Sequence, residues 1–208
     1  MSRLPVQPTK SNLMRLQEEL DFAKTGHQLL QEKREILLMR IRENVESLQR
    51  QQASLYKELS KAYRVLAFSA LTLGWRRVES VHVRPDGDVD IDMEPRHYMG
   101  IDLPHLEMKE VSARPRYSPA GTNSLLDEAQ TAFVELLPQV IAYAERESHL
   151  YALSQALKKT MKRVNALENI FIPDYDDTVG YVEETLEELE REEMFIRKLV
   201  KEKGEEEA

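Results

Sequence analysis

The chain has 208 residues, of which 32% are charged and only 7% aromatic, with 7 glycines and 9 prolines. That composition supplies a narrow apolar seam along extended elements and is poor material for a thick globular core. A formal net charge of -8 excludes a general nucleic-acid binder, which needs a basic face to neutralise phosphates, and the lack of any cysteine excludes disulfides and Cys-based zinc sites.

Residues 1–13 carry prolines and polar groups where a secretory signal needs an apolar stretch, so secretion is not expected. No proline occurs between Pro8 and Pro85. From Leu13 onward apolar residues recur in steps of three and four: Leu13, Leu16, Leu20, Ala23, Leu30, Leu37, Ile41, Val45, Leu48, Leu55, Leu59, Ala62 and Leu66, interrupted by the polar His27 and Arg34. This heptad-like repeat predicts one helix over about residues 10–72, roughly 90 Å long, capped by Thr9 or Ser11 and stopped at Gly74. A helix of that length needs a partner, and the repeat favours a left-handed supercoil. The longest nearly apolar stretch, residues 65–75, is about half of the roughly 20 residues of a membrane span, so the chain is expected to be soluble.

Residues 75–121 change character. The runs 78–83 and 88–93 flank Arg84-Pro85-Asp86-Gly87, which predicts a β-hairpin with its turn there. Asp86, Asp88, Asp90 and Asp92 resemble a calcium loop only superficially, since the sixth position is Ile91 instead of Gly and the twelfth is His97 instead of Glu. They are read as a solvated strand face, with Val89, Ile91 and Met93 pointing inward.

A second long helix is expected to open at Thr122 or Asn123 and run to about Lys203. Its seam is Leu126, Ala129, Phe133, Leu136, Val140, Tyr143, Leu150, Leu157, Met161, Val164, Phe171, Val179, Val182, Leu186, Leu189, Ile196 and Val200. Bends or breaks are expected at Pro138 and Pro173, each of which removes a backbone donor. Two long helices joined by a compact insert fold back on each other most simply as an antiparallel hairpin, with facing residue numbers summing to roughly 195. Residues 26–34 then face 160–168, and the second helix outruns the first as a single-helix tip of order 20 residues.

This reading divides the chain into residues 1–74 as the first helix of the coil, 75–121 as the insert and 122–208 as the second helix with its tip. The fold class is mainly α, an antiparallel left-handed coiled-coil hairpin with a small β-hairpin-containing insert at the turn end. In the expected register Lys158, Lys159, Lys162 and Arg163 lie near Glu32 and Glu35, as candidate register contacts; the same basic cluster also suits an acidic partner or a solvated face. The stretch from Glu183 begins acidic and ends basic, as a helix dipole prefers, with Glu187 to Arg191 and Glu193 to Arg197 at i, i+4.

Nothing in the sequence supports catalysis. There is no G-x-x-x-x-G-K-[ST] loop and no G-x-S-x-G elbow, and His27, His82, His97, His105 and His149 do not pair in a zinc-peptidase pattern. No catalytic, cofactor-binding or metal-binding residue is assigned, and no cofactor is expected.

Three stretches resemble a known family. Pro8-Thr9-Lys10 leads into Ala23-Lys24-Thr25-Gly26-His27-Gln28-Leu29-Leu30-Gln31-Glu32-Lys33-Arg34. Lys159-Thr160-Met161-Lys162-Arg163-Val164-Asn165-Ala166-Leu167-Glu168 is continued by Ile172-Pro173 and by Glu188-Leu189-Glu190-Arg191-Glu192-Glu193. Met99-Gly100-Ile101-Asp102-Leu103-Pro104 matches more loosely. Across essentially the whole chain these resemble the D subunits of V-type and archaeal A-type ATP synthases; Asp174, Asp176 and Asp177 depart from the family pattern.

The resemblance implies a non-catalytic central-stalk rotor, cytoplasmic and peripheral to the membrane, that couples ATP hydrolysis or synthesis to ion transport. Its implied partners are the catalytic A and B subunits of a hexamer, the F subunit, and a stalk adaptor above the membrane ring, with no nucleic acid and no membrane insertion. Arg191, Arg197, Lys198 and Lys201 are then the candidate contacts of the tip with the hexamer. Periodicity alone also fits a coiled-coil scaffold or tether unrelated to rotation.

Overall fold

In a computed structural model the described residues are 4–81, 89–109, 117 and 120–206. Helix α1 spans Lys10–Leu73, α2 Trp75–Ser80, strands β1 and β2 Ile91–Tyr98 and Ile101–Met108, and α3 Ser124–Ala166. A five-residue π-helical segment, Leu167–Phe171, leads directly into α4, Ile172–Glu206. The chain forms two compact parts, Met1–Ile36 with Leu157–Ala208, and Leu37–Ala156.

Every seam position predicted on α1 is buried or half-buried, the polar His27 and Arg34 included. The helix starts where expected: the Thr9 hydroxyl accepts from the Asn12 amide at 3.3 Å, satisfying one of the unpaired donors of the first turn. It ends before Gly74, whose φ of 81° suits a residue without a Cβ.

In the part holding both chain ends, Leu16, Leu20, Val179 and Val182 form the core, with Leu13, Ile172, Tyr175 and Leu186 packed against it. The two helices run antiparallel, since Lys24, Gln17 and Lys10 meet Asp176, Glu183 and Glu190 in that order. The Leu4 amide donates to the Thr178 hydroxyl at 3.1 Å, tying the N-terminal segment to α4.

In the other part the pairing is again antiparallel. Gln52 meets Tyr143, the Tyr63 and Phe133 rings pack edge to face with centroids 5.2 Å apart, and Ser69 meets Asn123. Asn123 is the N-cap of α3, its Oδ1 accepting from the Leu126 amide at 3.0 Å. That oxygen also accepts from the buried Ser69 hydroxyl, while Nδ2 donates to Thr72 at 2.7 Å, so a single side chain caps one helix and ties it to the last turn of the other. Arg77 of α2 donates to the carbonyls of Ala120 and Gly121 just upstream of that cap.

Pro138 lies inside α3 without interrupting it. The residue is exposed, so the carbonyl it frees one turn earlier can be solvated. Near Pro173 the helix instead widens into the π segment. One extra residue there changes which side chains face inward. Phe171, seven residues after the buried Val164, is the seam residue that the repeat predicts, but it is 51% exposed and Ile172 packs on the core instead. The facing register shifts with the same sign, from roughly 195 for His27 and Glu168 to about 200 for Lys24 and Asp176.

The seam of α3 and α4 differs from expectation elsewhere. Val140, Met161, Leu189, Ile196 and Val200 are exposed, whereas Leu153 and Thr160 are buried. Met161 is the more hydrophobic of its pair with Thr160, yet 157, 160 and 164 keep the three-four spacing that the helix repeat demands.

The β-hairpin exists, but not where the strongest turn signal puts it. Residues 78–80 belong to α2, and the expected turn at 84–87 lies outside the described residues. The turn is Met99-Gly100, with φ of 50° and 76°, and Tyr98 pairs with Ile101. Positive φ at both central residues is the two-residue geometry that matches strand twist. Ile91 and Met93, expected to point inward, are 43% and 69% exposed. Pro95 pairs with Pro104; counted from the turn this is a non-hydrogen-bonded position, where a missing N–H costs the ladder nothing.

Two substitutions test this packing. Leu37→Ala, which empties a fully buried seam position, should cost about 2–5 kcal/mol in urea unfolding. Asn123→Ala should cost about 1–2 kcal/mol through the lost cap, with hydrogen exchange accelerated at the first turn of α3.

Candidate interaction surfaces

In the part holding the chain ends, Lys10 at the start of α1 pairs with Glu190 at 2.6 Å. Each group favours the other's charge: the Glu190 hydrogen bond raises the Lys10 ammonium pKa, and the Lys10 bond lowers that of the Glu190 carboxyl. Helix α4 then continues to Glu206, past the first residue of α1. Along this extension Met194, Phe195, Ile196, Leu199 and Val200 are all exposed. Scattered exposed apolar residues are ordinary, but five within seven positions form a contiguous surface, the kind another molecule covers. The predicted tip cations lie on the same stretch and are exposed. Arg191 and Arg197 reach back to Glu187 and Glu193 at 3.3 and 3.4 Å, the i, i+4 pairs expected from the sequence. Such pairs hold an exposed helix together by only a few tenths of a kcal/mol each. Lys198 and Lys201 extend the same basic band.

The other predicted cluster lies in the same part. Lys158, Lys159, Lys162 and Arg163 are exposed on α3, and Glu32 and Glu35 are exposed on α1. Glu32 accepts from Gln28 at 3.4 Å. Cross-helix ion pairs in this part join Lys10 to Glu190 and Lys24 to Asp176, and the His27 ring lies 3.8 Å from the Glu168 carboxyl. Asp176, one of the acidic residues departing from the family pattern, thus has a cation opposite it. Beside the π segment, Phe22, Ala23, Leu30, Leu167, Phe171 and Tyr175 line an open groove of about 800 Å³.

In the other part, a more enclosed apolar pocket of about 390 Å³ lies between α1 and α3, lined by Leu59, Leu66, Leu126, Phe133, Leu137 and Val140. The hairpin docks on α3 through histidines and a glutamate that are scattered in the sequence. The His149 Nε2–H donates to the Pro104 carbonyl at 2.7 Å, and the Glu145 carboxylate accepts from the Leu106 amide at 3.5 Å and from the His105 ring at 3.0 Å. The ladder alternation explains the choice of backbone groups. Residues 104 and 106 occupy non-hydrogen-bonded positions, so their backbone groups point away from β1 and need partners elsewhere. On the α1 side, the Arg40 guanidinium sits 5.7 Å over the Tyr98 ring. No local pattern announces this site, because it depends on the hairpin register.

Among the described residues no group of three or more His, Asp or Glu side chains is placed to hold a metal ion, and no helix is long and apolar enough to cross a membrane.

Residues 12–202 match the family model for the D subunit of ATP synthase. The chain is 36% identical over 198 residues to the A-type ATP synthase D subunit of Methanopyrus kandleri, covering 94% of this chain and 85% of that protein. It is 36% identical over 203 residues to the V-type ATP synthase D subunit of Thermotoga neapolitana, covering 96% and 98%. With the A-type D subunit of Pyrococcus furiosus the identity is 32% over 201 residues, covering 95% and 94%.

If the apolar face of the tip serves a partner and not the chain's own packing, replacing Phe195 and Val200 together by Ser should leave the unfolding free energy of the isolated chain within about 0.5 kcal/mol of the parent. Urea denaturation checks this, and a loss of several kcal/mol would show that the chain itself covers them.

Proposed function

The chain belongs to the family of ATP synthase D subunits, and we propose that it works there as a rotor shaft with no catalytic site of its own. The observation that carries this reading is the tip of α4, an exposed apolar and basic helix continuing beyond Lys10–Glu190. A protein whose end lies inside a catalytic hexamer needs such a surface, because the surrounding A and B subunits supply the burial that its own chain does not.

The shaft couples chemistry to rotation mechanically. Two paired helices resist twisting better than one, and a shaft without threefold symmetry presents a different face to each catalytic site of a threefold ring. Closing of one site on nucleotide then favours one rotor angle over another, and rotation changes which site is closed. Arg191, Arg197, Lys198 and Lys201 meet the inner wall of the hexamer, with the apolar residues of the tip beside them. Glu32 and Glu35, opposite Lys158, Lys159, Lys162 and Arg163, bias the register of the coil; exposed pairs of this type are worth about 1 kcal/mol at most. The insert end meets the F subunit, together with the stalk adaptor, and the assembly stands on the cytoplasmic side of the membrane as part of the soluble sector.

The reading is tested in the reconstituted complex. Charge reversal at Arg191, Arg197, Lys198 and Lys201 together should lower coupled ATPase activity by on the order of tenfold, the scale of losing one well-formed interfacial charge pair. Unchanged coupled activity would remove these four residues from the interface. A chain that fails to co-purify with the A, B and F subunits would overturn the shaft itself.

A further inference from the structure

The contacts holding the hairpin to α3 have a feature that a purely structural attachment does not require. Both nitrogens of the His105 ring face carboxylates: Nδ1 lies 3.0 Å from Glu145 Oε1 and Nε2 lies 3.1 Å from Glu107 Oε1. Ionised carboxylates only accept, so both bonds form together only when the ring carries two protons and is cationic. A neutral ring has a single N–H and leaves one of the two contacts as lone pair against anion. His105 is mostly buried, with 19% of its side chain exposed, and Glu145 is similar at 20%.

Charged groups from every packed element surround the arrangement. On α3, Glu145 bridges His105, the Leu106 amide and, at 3.8 Å, the His149 ring. Glu107 lies on the same strand, Glu94 is His105's direct partner on β1, and Arg96 on β1 opposes the imidazolium charge. Helix α1 contributes Arg40, which sits over Tyr98.

We propose that this cluster is a proton-dependent latch: with His105 protonated the hairpin is held on α3, and loss of that proton releases it. Glu145 is the central residue. It accepts from the Leu106 backbone amide while pairing with the imidazolium, so weakening the pair also loosens the bond to the strand edge. His149 makes the neighbouring polar contact, donating its Nε2 proton to the Pro104 carbonyl.

The direction of the pH dependence follows from the same contacts. The hydrogen bond to Glu145 raises the His105 pKa above its ordinary 6.5, outweighing partial burial and the charge of Arg96. Burial works against the Glu145 carboxylate, but its bonds from His105 and from the Leu106 amide prevail and hold its pKa below 4.5. The His105 contribution is therefore complete below about pH 6.5 and is lost as pH rises through the elevated folded value. The Glu145 contribution is present above about pH 4.5 and fades only as pH falls through its depressed value. The latch is closed in mildly acidic solution and opens on the alkaline side.

The chain contains no cysteine, so spin labels can be placed at will in the intact chain. Met93→Cys on the exposed face of β1 and Ser148→Cys on the exposed side of α3 report the hairpin-to-helix distance by pulsed electron spin resonance. One narrow distribution is expected at pH 6, with a second, longer component growing in by pH 9. Adding Glu145→Gln should give the longer component at both pH values, while His105→Gln, which does not titrate, should remove the pH dependence. Circular dichroism identifies any variant that fails to fold; independently, NMR titration of the parent should place the His105 pKa above that of an exposed histidine, moving back toward the ordinary value in Glu145→Gln. An unchanged distance distribution between pH 6 and 9 in the parent, or a pH response that persists in His105→Gln, would overturn the proposal.

Discussion

The structure depends on one constraint, that apolar residues return to the same side of a helix every three or four positions and must be covered there. In α1 that stripe runs from Leu13 to Leu66 with His27 and Arg34 among its polar members, and the buried Ser69 continues it; a helix so long has no other means of staying folded in water. The ion pairs across the helices are exposed and individually weak. Burial at Leu16, Leu20, Leu37, Leu126, Leu153 and Val164 supplies the stability, and the charges refine which residues face each other.

The same constraint explains where the second helix departs from regularity. A proline in a helix must be exposed enough for solvent to take up the freed carbonyl, as at Pro138, or the backbone must widen ahead of it, as before Pro173. The widening has a consequence for packing, since it turns Phe171 outward and brings Ile172 onto the core. It also leaves exposed Phe171 lining the same groove as exposed Phe22, an apolar surface that an unbroken α-helical repeat would have arranged differently. Beyond Glu190 the constraint no longer applies among the described residues, and Met194, Phe195, Ile196, Leu199 and Val200 are exposed.

The insert follows a different logic. A two-stranded sheet has two open edges, and a hairpin alone is marginal in water. Here the outer edge of β2 is satisfied by side chains of α3, with Glu145 taking the amide of Leu106 and His149 the carbonyl of Pro104. The polar part of the attachment rests on a few titratable groups, beside the half-buried Leu103 and Leu106 of the same strand.

The amino-acid order determined by itself the two long helices, the cap at Thr9, the start of the second helix near Thr122 or Asn123, the antiparallel pairing, the outrunning tip and the family, because heptad periodicity and capping chemistry are local and the family motifs are contiguous. The hairpin was legible only as alternation in the right region. Pro85-Asp86-Gly87 outweighs Met99-Gly100 as a turn signal, and Pro95 and Pro104 read as breakers until their pairing at a non-hydrogen-bonded position removes the cost. Only the tertiary structure decided the phase of the seam after the π segment, the burial of Thr160 in preference to Met161, and the meeting of His105, Glu145 and His149. Those outcomes depend on which residues lie opposite one another after folding, and a one-residue change in helix phase or strand register reverses the facing without altering composition or local propensity.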